Sequence, residues 1–402
     1  MFTTIYTAMT GLQGFAKGLD VISSNVANVN TPGYKGTELQ FRDILYDYQI
    51  QDERNGDIYG AWMGHGVAAD LTSLRFNQGD FRDTKNDTDA AIDGKGFFVV
   101  LRDGEYVYTR AGQFDFNDEG VLVTRDGGHK VMGLAADGTL QAITLDGMKT
   151  QPAHPTSELR FVGNLSLGAS SHVVNNVKVI DNLGGTQTLS IRFTNTSTTT
   201  PRSWKIEVRD ASDKIIASSG EIRFQGNGSP EVDKNRFAFE FTAANATAQQ
   251  ITLYFGEPGT FSQATSFSGG ATSDLAVDKN DGFAQGSLLS MTFNDTGQLT
   301  ARYSNSQTVT GTRLALANFN NLQALRQLDG GLFHAPPDQQ PILGEAGTGN
   351  LGRVVAGRIE LSNVELSQQF TDMIVVQRGY QASSQVLTVA NEMMQQLLEA
   401  TK

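Results

Sequence analysis

From the N-terminus, Ile5, Ala8, Leu12, Phe15, Leu19, Ile22 and Val26 recur at alternating steps of three and four. This is the spacing of an amphipathic helix with a coiled-coil-like seam, and it predicts a helix that stops near Asn28. At the other end Leu366, Met373, Val376, Tyr380, Leu387, Ala390, Met394 and Leu397 occupy a matching register, interrupted by Gln369 and Ser383. A second helix is predicted from about Ser367 almost to the C-terminus, roughly 50 Å long at the standard rise. Gly11, Gly14 and Gly18 each cost about 1 kcal/mol relative to alanine in a helix interior, so packing must hold the first helix.

Between the helices the period changes to two. Phe97 to Leu101 and Tyr106 to Thr109 flank an Asp103-Gly104 pair, a hairpin signal. Phe114 to Phe116 and Val121 to Thr124 flank Asn117-Asp118-Glu119-Gly120, a second turn. The phrase Phe116 to Leu122 has an echo in Phe293 to Leu299. Between the echoes lie alternating runs at Leu159 to Leu167, Val173 to Ile180, Thr188 to Phe193, Ser203 to Val208, Phe237 to Phe241 and Ile251 to Phe255. Two to three antiparallel sheets are expected, with 256 to 270 a loop carrying the isolated aromatics Phe261 and Phe267.

The fold class is therefore α+β, with mainly antiparallel β domains and long terminal helices that pair in a coiled-coil-like inner layer. A nested layout follows. Residues 1–30 and 366–402 form a terminal helical domain, 31–69 and 359–365 connect, 70–144 and 286–358 form a first β domain, and 145–285 are inserted into it.

Charge sharpens this division. The chain of 402 residues carries a formal charge of -12, yet residues 1–30 hold only Lys17 and Asp20. Residues 366–402 add Asp372, Glu392 and Glu399 against Arg378 and Lys402. Low-charge helical ends beside an acidic, glycine-rich middle read as association surfaces, and the acidity opposes nonspecific attraction to nucleic acid or anionic membrane. With no cysteine, disulfides, thiolate metal sites and cysteine catalysis are excluded together. The N-terminus lacks the basic segment and unbroken apolar run of a cleaved export signal.

Catalytic chemistry is poorly supplied. His65, His129, His154, His172 and His334 are too scattered for a compact local metal site. Gly94-Lys95-Gly96 precedes a strand, and Lys95 is not followed by Ser or Thr, so no nucleotide fingerprint is met. Asp115, Asn117, Glu119, Gly120 and Asp126 imitate a calcium loop but lack the flanking helices and the terminal glutamate. No catalytic, cofactor or metal residue is nominated. A β-rich carbohydrate-binding surface module remains a reading of another class, suggested by polar sheets and scattered aromatics.

Asn25-Val26-Ala27-Asn28-Val29-Asn30-Thr31-Pro32-Gly33-Tyr34-Lys35 resembles the N-terminal signature of the bacterial flagellar rod and hook protein family. The resemblance continues in order through Gly94 to Phe98, Tyr108 to Phe114, Leu361 to Leu366 and Met373 to Gln381. Tyr303 to Gln307 and Leu314 to Phe319 are similar to the hook members of the family, whereas a distal-rod-like subunit is the alternative within it. Gln369 departs from the pattern, which often has glutamate there.

This resemblance implies a non-enzymatic homopolymer without cofactors, forming a curved tube that passes torque from rod to filament. The implied partners are a distal rod, a hook cap during growth and hook–filament junction proteins. The implied location is the extracellular hook, reached by the flagellar type III route without a cleaved signal. Ile5, Leu12, Phe15, Leu19, Ile22, Val26, Met373, Val376, Tyr380, Leu387, Met394 and Leu397 are then candidate assembly residues. Pro32, Gly33 and Tyr34 are a candidate joint: Pro32 and Gly33 break the helix, Tyr34 anchors the outgoing chain, and Lys35 is expected to stay in water.

Overall fold

The computed structural model describes residues 2–44, 46–54, 57–135, 137–244 and 246–400. It contains two long helices, α1 over Phe2–Ala27 and α2 over Leu366–Ala400, with mainly antiparallel strands between them. The chain divides into two compact units. The first comprises residues 1–146, 291–301 and 309–402, and the second comprises 147–290 and 302–308. Basic and acidic residues are equal in number in the second unit, so the whole formal charge of -12 falls on the first.

In the first unit α1 and α2 run antiparallel. A β-carbon placed on Gly11 would lie 2.9 Å from the Ser383 hydroxyl, and one on Gly18 would lie 3.3 Å from a Val376 methyl. The glycines that weaken α1 in isolation are thus the positions where α2 comes close. Gly14 faces instead the strand pair Thr37–Asp43 and Val67–Leu74, against Phe41 and Ala69. The stretch 31–69, expected above only to connect, also contains the paired strands Tyr46–Arg54 and Asp57–Gly64.

The sheet of the first unit is built around the strand Phe97–Arg102, whose first four residues are buried. That unbroken apolar run is what burial on both faces demands. Glu105–Thr109 pairs with it through a tight turn in which Asp103 and Gly104 both take positive φ, the geometry of a two-residue hairpin. Lys130–Leu134 and Leu316–Asn318 pair along its other edge. Phe97, Val99, Tyr108, Met132, Phe319 and Phe333 fill the core.

The two echoing phrases form the same turn. The Asn117 side chain accepts from the Val121 amide at 2.8 Å, and Asn294 accepts from the Gln298 amide at 2.9 Å. Gly120 and Gly297 adopt φ of 75° and 71°. Asn117, a candidate ligand in the calcium-like phrase, therefore spends its oxygen on a backbone amide.

The second unit encloses one core between two sheets. Ser171–Ile180, Thr186–Asn195, Ser203–Arg209 and Ile215–Arg223 form an antiparallel meander. Opposite it, Arg236–Phe241 and Gln249–Tyr254 pair antiparallel, but Gln249–Tyr254 joins Glu158–Asn164 in parallel. The sheets are mainly antiparallel, as expected, and Glu158–Asn164 is the exception, pairing in parallel with Gln249–Tyr254 and with Ala264–Thr265; before the first of these pairings the chain leaves one sheet, traverses the whole meander and returns in the same direction. Phe161, Phe193, Trp204, Ile206, Leu253 and Phe255 lie at the centre.

Candidate functional site at the junction of the chain ends

Where α1 ends, Gly33 adopts a φ of 69°, and a β-carbon there would lie 2.5 Å from the Ala111 backbone nitrogen. A side chain is therefore excluded both by conformation and by space. The Gly33 amide donates to the Glu360 carbonyl at 2.8 Å. Tyr34 is buried and its hydroxyl donates to the Asn25 side-chain oxygen at 3.3 Å.

Lys35 is not in water. Its side chain is fully buried, as is that of Glu360, and its ammonium donates to Glu360 Oε1 at 2.6 Å and to the Asn77 carbonyl at 2.7 Å. Sequence position alone suggested a solvated lysine after a turn. The overriding cause is a carboxylate that arrives from the far end of the chain. Arg110 completes the cluster, with Nη1 3.3 Å from Glu360 Oε2 and further bonds to the Ile92 and Gly94 carbonyls. The Gly79 amide donates to Glu360 Oε1 at 2.9 Å. Burial pulls the Lys35 and Arg110 pKa values below their ordinary ranges, against the attraction of Glu360. The carbonyl oxygens of Asn77, Ile92 and Gly94 take further donors of the two cations, which helps two positive charges persist around one buried anion, while Arg110 Nε is buried without a hydrogen-bond partner among the described residues.

A second, uncharged network lies beside it. Asn25 uses all of its amide: Nδ2 donates to the Thr37 carbonyl and to Gln369 Oε1, while Oδ1 accepts from the Thr37 amide and the Tyr34 hydroxyl. Asn363 does similar work, accepting from the Gly36 amide and donating to the Arg75 and Asn77 carbonyls. The N-terminal signature, the Tyr108 to Phe114 phrase and the Leu361 to Leu366 phrase thus meet in one place. Glu360 was missed by sequence reasoning, and its signal is a lone acid between Ile359 and Leu361. The geometry holds the two chain ends against the first sheet.

The candidate assembly residues divide. Ile22 and Val376 are buried, while Ile5, Leu12, Phe15, Leu19, Val26, Met373, Leu387 and Met394 are half-buried. Tyr380 and Leu397 stay exposed, at 41% and 53%. A strict 3/4 register drifts around a straight helix, so one seam cannot face a single partner along all of α2. The fully buried positions of α2 are Gln369, Val376 and Ala390. A further face, unremarked in the sequence reading, exposes Phe370, Ile374, Val375, Val386, Val389 and Met393. Among the described residues no cluster of His, Cys, Asp or Glu could hold a metal ion.

Comparison with known proteins adds three family matches in chain order. Residues 5–35 match the flagella basal body rod protein model, 91–153 the flagellar hook protein D1 domain, and 355–400 the C-terminal model of flagellar basal body rod proteins. The chain is 29% identical to the flagellar hook protein of Escherichia coli K12, over 97% of this chain and 98% of that one. It is 26% identical to the flagellar hook protein of Borreliella burgdorferi, over 99% of each. Among solved structures, a flagellar hook protein of Helicobacter pylori aligns at 13% identity with a TM-score of 0.47, covering 68% of this chain and 98% of that one. With both terminal signatures joined in one buried junction, the chain is similar from end to end to members of the bacterial flagellar rod and hook protein family.

Proposed function

We propose that this chain works as the structural subunit of the bacterial flagellar hook, self-assembling into a flexible curved tube that carries torque from rod to filament. The observation that supports this reading best is α2. One side of it packs on α1, and another leaves Phe370, Ile374 and Val375 between 53% and 63% exposed. A helix apolar on more than one face is built to be covered by more than one neighbour. Copies of this chain are those neighbours, and the candidate residues Tyr380 and Leu397 belong to that contact. The Pro32-Gly33-Tyr34 joint fixes how the helix pair leaves the first sheet.

The reading extends to a distal rod below, a cap during growth, junction proteins above, and delivery by the flagellar type III route. Negative-stain imaging of the purified full-length chain at rising concentration tests it. Curved tubes are expected. Straight rigid tubes would assign a distal-rod role instead, and glycan binding by a persistent monomer would overturn the polymer reading.

A further inference from the structure

Gly94-Lys95-Gly96, which the junction does not explain through its lysine, borders a groove in the first unit. A cavity of about 420 Å³ is lined by Lys95, Phe319, Leu322, Ile342, Leu343 and Leu351, among others. Lys95 is its one charged lining residue, is exposed, and has no hydrogen bond or ion pair from its ammonium among the described residues. The short strand Ile342–Gly344 forms one wall. Among the described residues it pairs with Leu316–Asn318 alone, which leaves its other edge open, and Ile342 and Leu343 are 51% and 37% exposed. An unpaired cation, exposed aliphatic side chains and an open strand edge together suit an acidic turn that carries a large apolar residue.

The same unit presents such a turn. At the tip between Phe97–Arg102 and Glu105–Thr109, the Asp103 and Glu105 side chains are 92% and 77% exposed, and Tyr106 beside them is 45% exposed. Their local partners are distant: Arg102 Nε lies 3.7 Å from Asp103, and His334 Nε2 lies 3.9 Å from Glu105. Arg102 is itself held by Asp329 at 2.7 Å, so the tip retains surplus negative charge. Lys95 precedes the six-residue strand Phe97–Arg102, while Glu105 pairs with its last residue. Strand rise separates groove and tip by about 20 Å, so they cannot meet within one molecule.

We propose that the Lys95 groove receives the Asp103–Tyr106 tip of a second copy of this chain. The proposal rests on the polymer reading and names a contact within it. Two different surfaces at opposite ends of one strand make a head-to-tail contact, which propagates as an open filament where it does not close into a ring.

Sedimentation of the full-length chain tests the charge match. Lys95→Glu and Glu105→Lys should each raise the critical assembly concentration about tenfold, and the combined variant should restore most of the loss. Both positions are exposed, so the melting of the monomer, measured in parallel, should not change. Tyr106→Ser, which reverses no charge, should also weaken assembly.

The natural absence of cysteine permits a geometric test. A K95C/E105C variant, oxidised after assembly, should give a ladder of covalent multimers, because its two thiols are too far apart to bridge within one chain. Tubes that form at the parental concentration in both charge variants, or a doubly substituted chain that stays monomeric on denaturing gels despite forming tubes, would overturn the contact. A parent chain that never polymerises would instead overturn the subunit reading beneath it.

Discussion

Asn25 on α1 and Gln369 on α2 share a buried amide–amide hydrogen bond of 2.9 Å across 344 residues of sequence. Asn25→Leu would leave the Thr37 amide and carbonyl, the Tyr34 hydroxyl and Gln369 Oε1 without their partner. An unpaired buried polar group costs about 1–3 kcal/mol, so a loss of at least that size is expected. Hydrogen exchange at residues 18–27 and 366–376 would show it. Unchanged protection would mean that water replaces the amide without cost.

The Lys35–Glu360–Arg110 cluster separates stability from specificity. Glu360→Gln leaves two buried cations without their anion and should cost about 3–5 kcal/mol, whereas an all-apolar K35M/R110M/E360L variant should recover most of that loss. Denaturant unfolding of the monomer measures both. If the single substitution is harmless, the cluster is not held as a charged unit.

Assembly and helix pairing should separate on α2. Ile374 is 60% exposed, so Ile374→Asp should raise the critical concentration about tenfold or more while leaving monomer melting unchanged. Leu387 is half-buried, and Leu387→Asp is expected to harm both. Sedimentation beside thermal unfolding distinguishes the two patterns, and equal effects of I374D on both would remove that face from the interface.

Acid should loosen the second unit through Asp181. Gln187 donates to its carboxylate at 3.0 Å, and that bond, with the Gly185 and Leu183 amides, holds its pKa below the usual 3.8 despite burial. A carboxyl depressed in the folded state contributes fully above its unfolded pKa and loses that contribution as pH falls through the folded one. Asp181→Ala should therefore cost about 1–3 kcal/mol at neutral pH and progressively less below pH ~3.8. Fluorescence of Trp204, buried in that unit, reports the unfolding. A deficit independent of pH would exclude the charge as the cause.

Removal of residues 145–285 with a short flexible linker should leave the first sheet intact. Its pairings around Phe97–Arg102 all come from residues outside that span. Proton–nitrogen NMR spectra of the shortened chain should retain the resonances of residues 97–109, and their collapse with several linkers would show that the first unit depends on the deleted one.

Local signals carried furthest where one segment sufficed. The helices, the Asp103-Gly104 hairpin and the Asn-to-Gly turns each follow from a few neighbouring residues, and the structure contains all of them. Lys35 could not be read this way, because its environment is set by Glu360, which no local period connects to it. The outward face of α2 was written in the sequence at Phe370 and Ile374, four residues apart, but the stronger 3/4 seam masked it. The parallel pairing of Gln249–Tyr254 with Glu158–Asn164 likewise depends on where a chain returns rather than on its alternation.

Lys35 and Glu360 are 325 residues apart, a separation that gives the junction a place in time as well as in space. A chain released end-first, whether from a ribosome or through a narrow channel, holds Asn25 and Lys35 ready long before their partners emerge. The hairpins, closed by short loops, can form meanwhile, and the junction must come last. Until then α1 lacks the helix that covers its glycines, so a segment that emerges ahead of the sheets is among the last to become rigid. The closing contact thus acts as a record of completeness: a truncated chain could fold its sheets, but it could never seal its ends.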